Sequence, residues 1–384
     1  MTLLARSAAA LHRLTSRSFF VPRPLHRTFY AAAHSAGAPL ASSTRSLRTA
    51  AFAMTNQPNS TADQPAILKW ANDKGEFHRQ VSSFRNEVSP AADAQFPAEA
   101  GRYHLYISLA CPWAHRTLLV RNLKGLDDLI SLSVVHYHMG PEGWKFATEE
   151  ECPGAIPDTV NHAQFIREVY FKANPNYEGR FTVPVLWDKK LGTIVNNESS
   201  EIIRMFNSAF DHLLPADKQG VSYYPEALRP TIDELNGWIY DDINNGVYKS
   251  GFATQQDPYE ENCRRVFTAL DRVETILAER EFLTGDGQFT EADIRLFTTI
   301  VRFDPVYHGH FKCNIKGIEK DYPNILRWTR QIYQMPKVAE TVNLDHIKRH
   351  YYMSHGQINP TRVVPLGTGP DLAHPVIKPK GTSA

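Results

Sequence analysis

The feature that most constrains the fold is the point at which strand patterning stops. Between residues 102 and 210 strand-like and helix-like segments alternate. Beyond about residue 220 no segment reads as a strand. Residues 102–109 (RYHLYISL) are β-branched and aromatic, and residues 112–123 carry leucines in helical register. Residues 130–136, 183–187 and 193–195 read as strands, and 162–172 and 199–210 as helices. Residues 137–161, with Gly, Pro and acids, read as an insertion. The order β-α-β-α-β-β-α implies an α/β layer on a mixed sheet. In the second part, Val266, Leu270, Val273 and Leu277 fall on one helical face. Thr290 and Asp293 frame a capping box before an apolar run, and 226–245, 321–334 and 336–352 are further helical patterns. An α/β domain followed by an all-α domain is the expected architecture.

Cys111-Pro112-Trp113-Ala114 sits where the first strand meets the first helix. Pro112 suits the first helical position, because its missing N–H and fixed φ cost nothing there. The cysteine then faces the positive end of the helix, where unpaired N–H groups favour thiolate over thiol. A lowered thiol pKa is expected. Elsewhere an isolated cysteine reads as a structural thiol, as Cys152, Cys263 and Cys313 do. Ala114 occupies the place of a resolving cysteine, so a disulfide formed at Cys111 needs an external thiol.

Two further segments carry weaker signals. In residues 180–185 (RFTVPV) a proline enters a strand. A cis turn there would leave the Val183 backbone free to pair with a ligand. Glu198-Ser199 opens a helix whose free N–H groups can take a carboxylate, while Glu198 can take an ammonium group. A plain N-cap explains this pair equally well when it stands alone. His136, His138, His308 and His310 fall short of a metal-ligand set and read as surface or loop residues, so no metal is expected.

Charge is distributed unevenly. Residues 1–62 hold seven arginines, no lysine and no acid; all 41 acidic residues and the other 35 of the 42 basic ones lie beyond. This Arg-, Ser- and Ala-rich start has the composition of a mitochondrial presequence over residues 1–53, with Met54 as a second start giving a cytosolic form. No basic face points to nucleic acid, and no run of 18 apolar residues suggests a membrane span.

Taken in order, strand–Cys-Pro–helix, Val-Pro, Glu-Ser and an all-α domain with its capping box resemble a glutathione transferase. Six segments narrow this: 111–116 (CPWAHR), 143–144 (GW), 180–184 (RFTVP), 244–253 (NNGVYKSGFA), 302–313 (RFDPVYHGHFKC) and 350–360 (HYYMSHGQINP). They resemble the glutathionyl-hydroquinone reductases, the xi class of that superfamily, over about residues 65–368. Ser250 departs from the alanine expected there.

The resemblance implies a family-type extension over 54–100, a thioredoxin-like glutathione-binding domain over 101–212, an all-α domain over 220–355 and an extended tail over 356–384. It makes Cys111 the nucleophile and Tyr248 the proton donor or acceptor. Tyr307 and Tyr351 would lower the thiol pKa, with Tyr352 the alternative to Tyr351. Trp144, Arg180, Phe181, Thr182, Val183, Glu198 and Ser199 would hold glutathione, the co-substrate. The expected activity is glutathione-dependent reduction of glutathionyl-hydroquinones, small-molecule conjugates, by a homodimer. An omega-like thiol transferase or dehydroascorbate reductase shares the Cys-Pro site and stays open here, as does a non-enzymatic binding module.

Overall fold

A computed structural model describes residues 71–376, apart from residues 73, 78 and 286. The presequence read over 1–53 and the second start at Met54 lie outside the described residues.

Five strands make one sheet: β1 (Tyr103–Ile107), β2 (Ile130–Gly140), β3 (Gly143–Phe146), β4 (Val185–Asp188) and β5 (Thr193–Asn196). Their spatial order is β3-β2-β1-β4-β5. Only β1 and β2 pair in parallel, with Tyr103 opposite Ile130, so a helix must cross between them. That helix is α1 (Pro112–Lys124), ended by Gly125 at φ +71, a left-handed cap that glycine adopts without strain. β4 runs antiparallel to β1, with Tyr106 opposite Val185. Helices α2 (Ile166–Ala173) and α3 (Ser199–Ser208) complete this layer.

The reading of 137–161 as an insertion is corrected. β2 runs on to Gly140 and turns back as the edge strand β3, so the order is β-α-β-β-α-β-β-α. Gly143, at φ +88, allows the turn. The polar His136 and His138 and the short segment GWKF hide the alternation by which such a strand is recognised.

The rest is helical: α4 (Arg229–Ile239), α5 (Gly246–Gly251), α6 (Gln256–Glu279), α7 (Glu291–Ile300), α8 (Ile318–Asp321), α9 (Pro323–Tyr333) and α10 (Leu344–Ser354). Single π turns at Tyr240–Asn244 and Phe303–Tyr307 interrupt the run. The apolar face of α6 is fully buried at Val266, Leu270, Val273 and Leu277. Asp293 reaches back to the Thr290 N–H at 3.0 Å, as the capping box requires, and also accepts from Trp328 Nε1 at 2.9 Å. Helix α1 packs against α3 on one side and α7 on the other, and α10 packs on β2. These contacts bring the two halves together around the start of α1.

Candidate active site

Cys111 is the N-cap of α1, with extended backbone (φ −79, ψ 121) and Pro112 behind it. Its sulfur points to the Val183 carbonyl, 3.6 Å away. The Val183–Pro184 peptide is cis, as the sequence led us to expect. Val183 therefore presents its backbone beside the thiol instead of continuing β4.

Glu198 caps α3. Its carboxylate accepts from the Ser200 N–H (3.1 Å) and hydroxyl (2.9 Å) and from the Ser82 hydroxyl (3.1 Å). Burial pushes its pKa up, but these bonds and the Arg79 charge outweigh burial, so it lies below the usual value. A carboxylate held ionised at a helix start suits an ammonium ligand. Trp144 comes from β3 and stacks on His350 at 4.6 Å.

Three tyrosines from three elements face one another. Tyr351 (α10) bonds through its hydroxyl to Tyr248 (α5) at 2.5 Å and to Tyr307 (second π turn) at 3.1 Å. Burial raises all three phenols, Tyr307 to about 12 and the others well above their usual value. They are neutral hydroxyls, able to give or relay a proton. Phe311 packs beneath them, 5.3 Å from Tyr248 and stacked on Tyr307 at 5.4 Å. It fits because residue 251 is glycine: a Cβ there would lie 2.1 Å from the Phe311 ring.

One cavity joins these parts. Cys111, Trp144, Arg180, Phe181, Thr182, Val183, Glu198, Ser199, Tyr248 and Tyr351 line it. Tyr307 does not; it is fully buried and backs Tyr351. Tyr351, not Tyr352, turns to the cavity, while Tyr352 packs against His310 at 4.8 Å.

The thiol departs from expectation. Burial raises the Cys111 pKa; the helix-start amides of Ala114 and Trp113 and the Arg79 and Arg302 charges oppose it without prevailing. The helix start acts in the expected direction but is outweighed, because the cavity walls, from Arg79 and Val183 to Tyr248 and Tyr351, shield the thiol from water. His310 is a further correction. It is buried and bonded to His355 at 3.1 Å, since its loop folds under α10 instead of facing solvent.

Sequence reasoning missed several contributors. Phe77 and residues 79–82 line the cavity as well. Arg79 lies 3.8 Å over the Trp113 ring, and Gln80 accepts from the Arg180 N–H at 3.0 Å. Phe77 stacks on Phe252 at 5.7 Å. No periodicity marks these residues; only their place in the fold does. Arg302 opens the segment 302–313, and the sequence suggests no role for it. It donates to the carbonyls of Leu109 (3.0 Å) and Ala110 (2.9 Å), and so clamps the loop that carries Cys111.

Comparison with known proteins agrees with this geometry. Residues 110–209 match the family "Glutathione S-transferase, N-terminal domain" and residues 256–331 match "Glutathione S-transferase, C-terminal domain". The chain is 55% identical over 307 residues to glutathionyl-hydroquinone reductase YqjG of Escherichia coli, covering 78% of this chain and 92% of that protein. The crystal structure of the glutathione S-transferase Xi from Phanerochaete chrysosporium superposes with a TM-score of 0.75 at 55% identity, covering 80% of this chain and 96% of that one. The glutathione-bound structure of YqjG superposes with a TM-score of 0.72 at 55% identity, covering 76% and 95%. The thioredoxin-like sheet, its Cys-Pro helix start and the helical half make this chain a glutathione transferase. Within that superfamily it belongs to the xi class, that of the glutathionyl-hydroquinone reductases.

Proposed function

We propose that this protein reduces glutathionyl-hydroquinones to hydroquinones, with glutathione as reductant. The observation that carries this reading is the single cavity placing Cys111 and the Glu198 helix start on one side and the Tyr248–Tyr351 pair on the other. The glutathionyl part lies along Val183, with its ammonium at Glu198 and its carboxylate at Ser199 and the start of α3. Trp144, Arg180, Phe181 and Thr182 enclose the rest.

The Cys111 thiolate attacks the substrate sulfur. The carbon–sulfur bond breaks, its electron pair stays with the ring carbon, and Tyr248 supplies that carbon with a proton. The ring is reduced, and the two sulfurs are joined as a Cys111–glutathione disulfide. A second glutathione thiolate attacks this disulfide, glutathione disulfide leaves, and Cys111 is a thiolate again. Arg79, Arg302 and the helix-start amides supply the countercharge that a buried thiolate needs. Tyr351 bonds the Tyr248 hydroxyl and Tyr307 bonds Tyr351, so the two hold that hydroxyl for the proton transfer, while the pKa-lowering role that the resemblance implies for them has no bond to the thiol behind it.

The tyrosine set favours this reading over an omega-like thiol transferase, because exchange between sulfurs needs no donor to carbon. We further propose that the protein is a homodimer, that residues 1–53 direct it to mitochondria, and that Met54 starts a cytosolic form. The functional test follows free hydroquinone after incubation with glutathione and a glutathionyl-hydroquinone. Chlorodinitrobenzene and dehydroascorbate run in parallel, and turnover only of dehydroascorbate would reject the reading.

A further inference from the structure

Outside the active site two more thiols meet. Cys263 lies on the buried side of α6, and Cys313 follows the loop that carries Phe311. Cys313 follows Lys312, whose carbonyl lies against the Cys263 sulfur, so both buried thiols stand where this loop meets α6. They share a scaffold: the Lys312 carbonyl lies 3.9 Å from the Cys263 sulfur and accepts from the Tyr259 hydroxyl at 2.7 Å. The Cys313 N–H donates to the Tyr307 carbonyl at 3.0 Å, which ties the end of the loop to the second π turn, while Tyr259 holds the Lys312 carbonyl to α6. Neither thiol belongs to the chemistry assigned to Cys111.

We propose that Cys263 and Cys313 form a second redox site, closing to an intramolecular disulfide when a hydroperoxide oxidises Cys263. Their environments divide the work. The neighbouring Cys313 thiol and the Arg264 charge favour the Cys263 thiolate, while the neighbouring Cys263 and burial hold Cys313 protonated. Nucleophilicity toward peroxide belongs to the thiolate. Cys263, at 3% exposure, admits at most a small oxidant. Cys152 provides the contrast: burial raises its pKa, and its sulfur neighbours His346 at 3.6 Å instead of a second thiol.

The steps balance. The Cys263 thiolate attacks the peroxide oxygen; the O–O bond breaks, an alcohol or water leaves, and Cys263 becomes a sulfenic acid. The Cys313 sulfur then displaces that hydroxyl, and its proton leaves with it as water. Two thiols lose two electrons, and the peroxide gains them. The new bond would tie α6 to the loop whose Phe311 supports Tyr248 and Tyr307.

The test uses the full chain carrying Cys111→Ser, which removes the competing active-site thiol. Equimolar hydrogen peroxide is added, free thiols are alkylated under denaturing conditions, and peptides are mapped by mass spectrometry. We expect a linked pair of peptides containing residues 263 and 313, which dithiothreitol reverses. Cys263 should react on the order of tenfold faster than Cys152, the ratio one pKa unit makes in thiolate fraction. In a Cys313→Ser protein Cys263 should instead hold a sulfenic acid that dimedone traps. Recovery of both thiols in alkylated form, or oxidation of Cys152 ahead of Cys263, would overturn the proposal.

Discussion

The Tyr248 and Tyr351 hydroxyls stand 2.5 Å apart, although 103 residues separate them in the chain. Tyr307 holds Tyr351 from behind at 3.1 Å. A phenol so placed can be re-protonated after giving its own proton to the ring. Tyr248→Phe should therefore lower kcat and kcat/KM together, by about 10²–10⁴-fold, the usual range for loss of a general acid. Glutathione affinity, read by calorimetry, should be nearly unchanged. An unaltered kcat with a raised KM would assign Tyr248 to binding instead.

Arg79 rests on Trp113 and is the cation that most opposes the rise in Cys111 pKa. Removing its charge in Arg79→Met should raise the thiol pKa further. Alkylation of Cys111 by iodoacetamide at pH 7 should slow by roughly tenfold for each unit of pKa. Arg79→Lys should recover part of the rate. Equal rates for Met, Lys and wild type across the pH range would show that the extension contributes no charge to the thiol.

Much of this site is legible in the chain, for a physical reason. Cys111, Val183 and Glu198 sit at local junctions, a strand end, a cis-proline turn and a helix start, and local junctions leave local signatures. Arg79, Ser82 and Arg302 act across gaps of 32 to 193 residues in sequence. Such contacts depend on how the layers stack, and no periodicity encodes that. The Cys111 pKa failed for the same reason. The helix-start effect is local, whereas the burial that outweighs it comes from residues far apart in the chain that wall the cavity. β3 was missed because only four residues, one of them glycine, form it.

Burial pushes His310 and His350 down to about 3, so both are neutral in the fold. In the unfolded chain histidine titrates near ~6.5. The stability they provide is therefore complete above that pH and falls as pH drops through it toward 3. The urea midpoint should decline from pH 7 to pH 5, and His310→Asn should flatten the decline. A variant with the same slope as wild type would remove His310 from the account.

Residues 1–53, fused to a fluorescent reporter, should enter mitochondria, whereas residues 54–384 should stay in the cytosol. The arginine-rich, acid-free segment is the whole basis of this expectation. A cytosolic 1–53 fusion would reject the targeting role and leave the chemistry untouched.

The central claim is that the glutathionyl group passes through Cys111. A single turnover of wild-type protein with a glutathionyl-hydroquinone, without free glutathione, tests it most directly. Intact-mass and peptide analysis should find one glutathione on Cys111 for each hydroquinone released, and added glutathione should remove it. Cys111→Ala, folded by circular dichroism, should release no hydroquinone. Hydroquinone released at the wild-type rate by Cys111→Ala, or glutathione found on Cys152, Cys263 or Cys313 instead, would contradict the account.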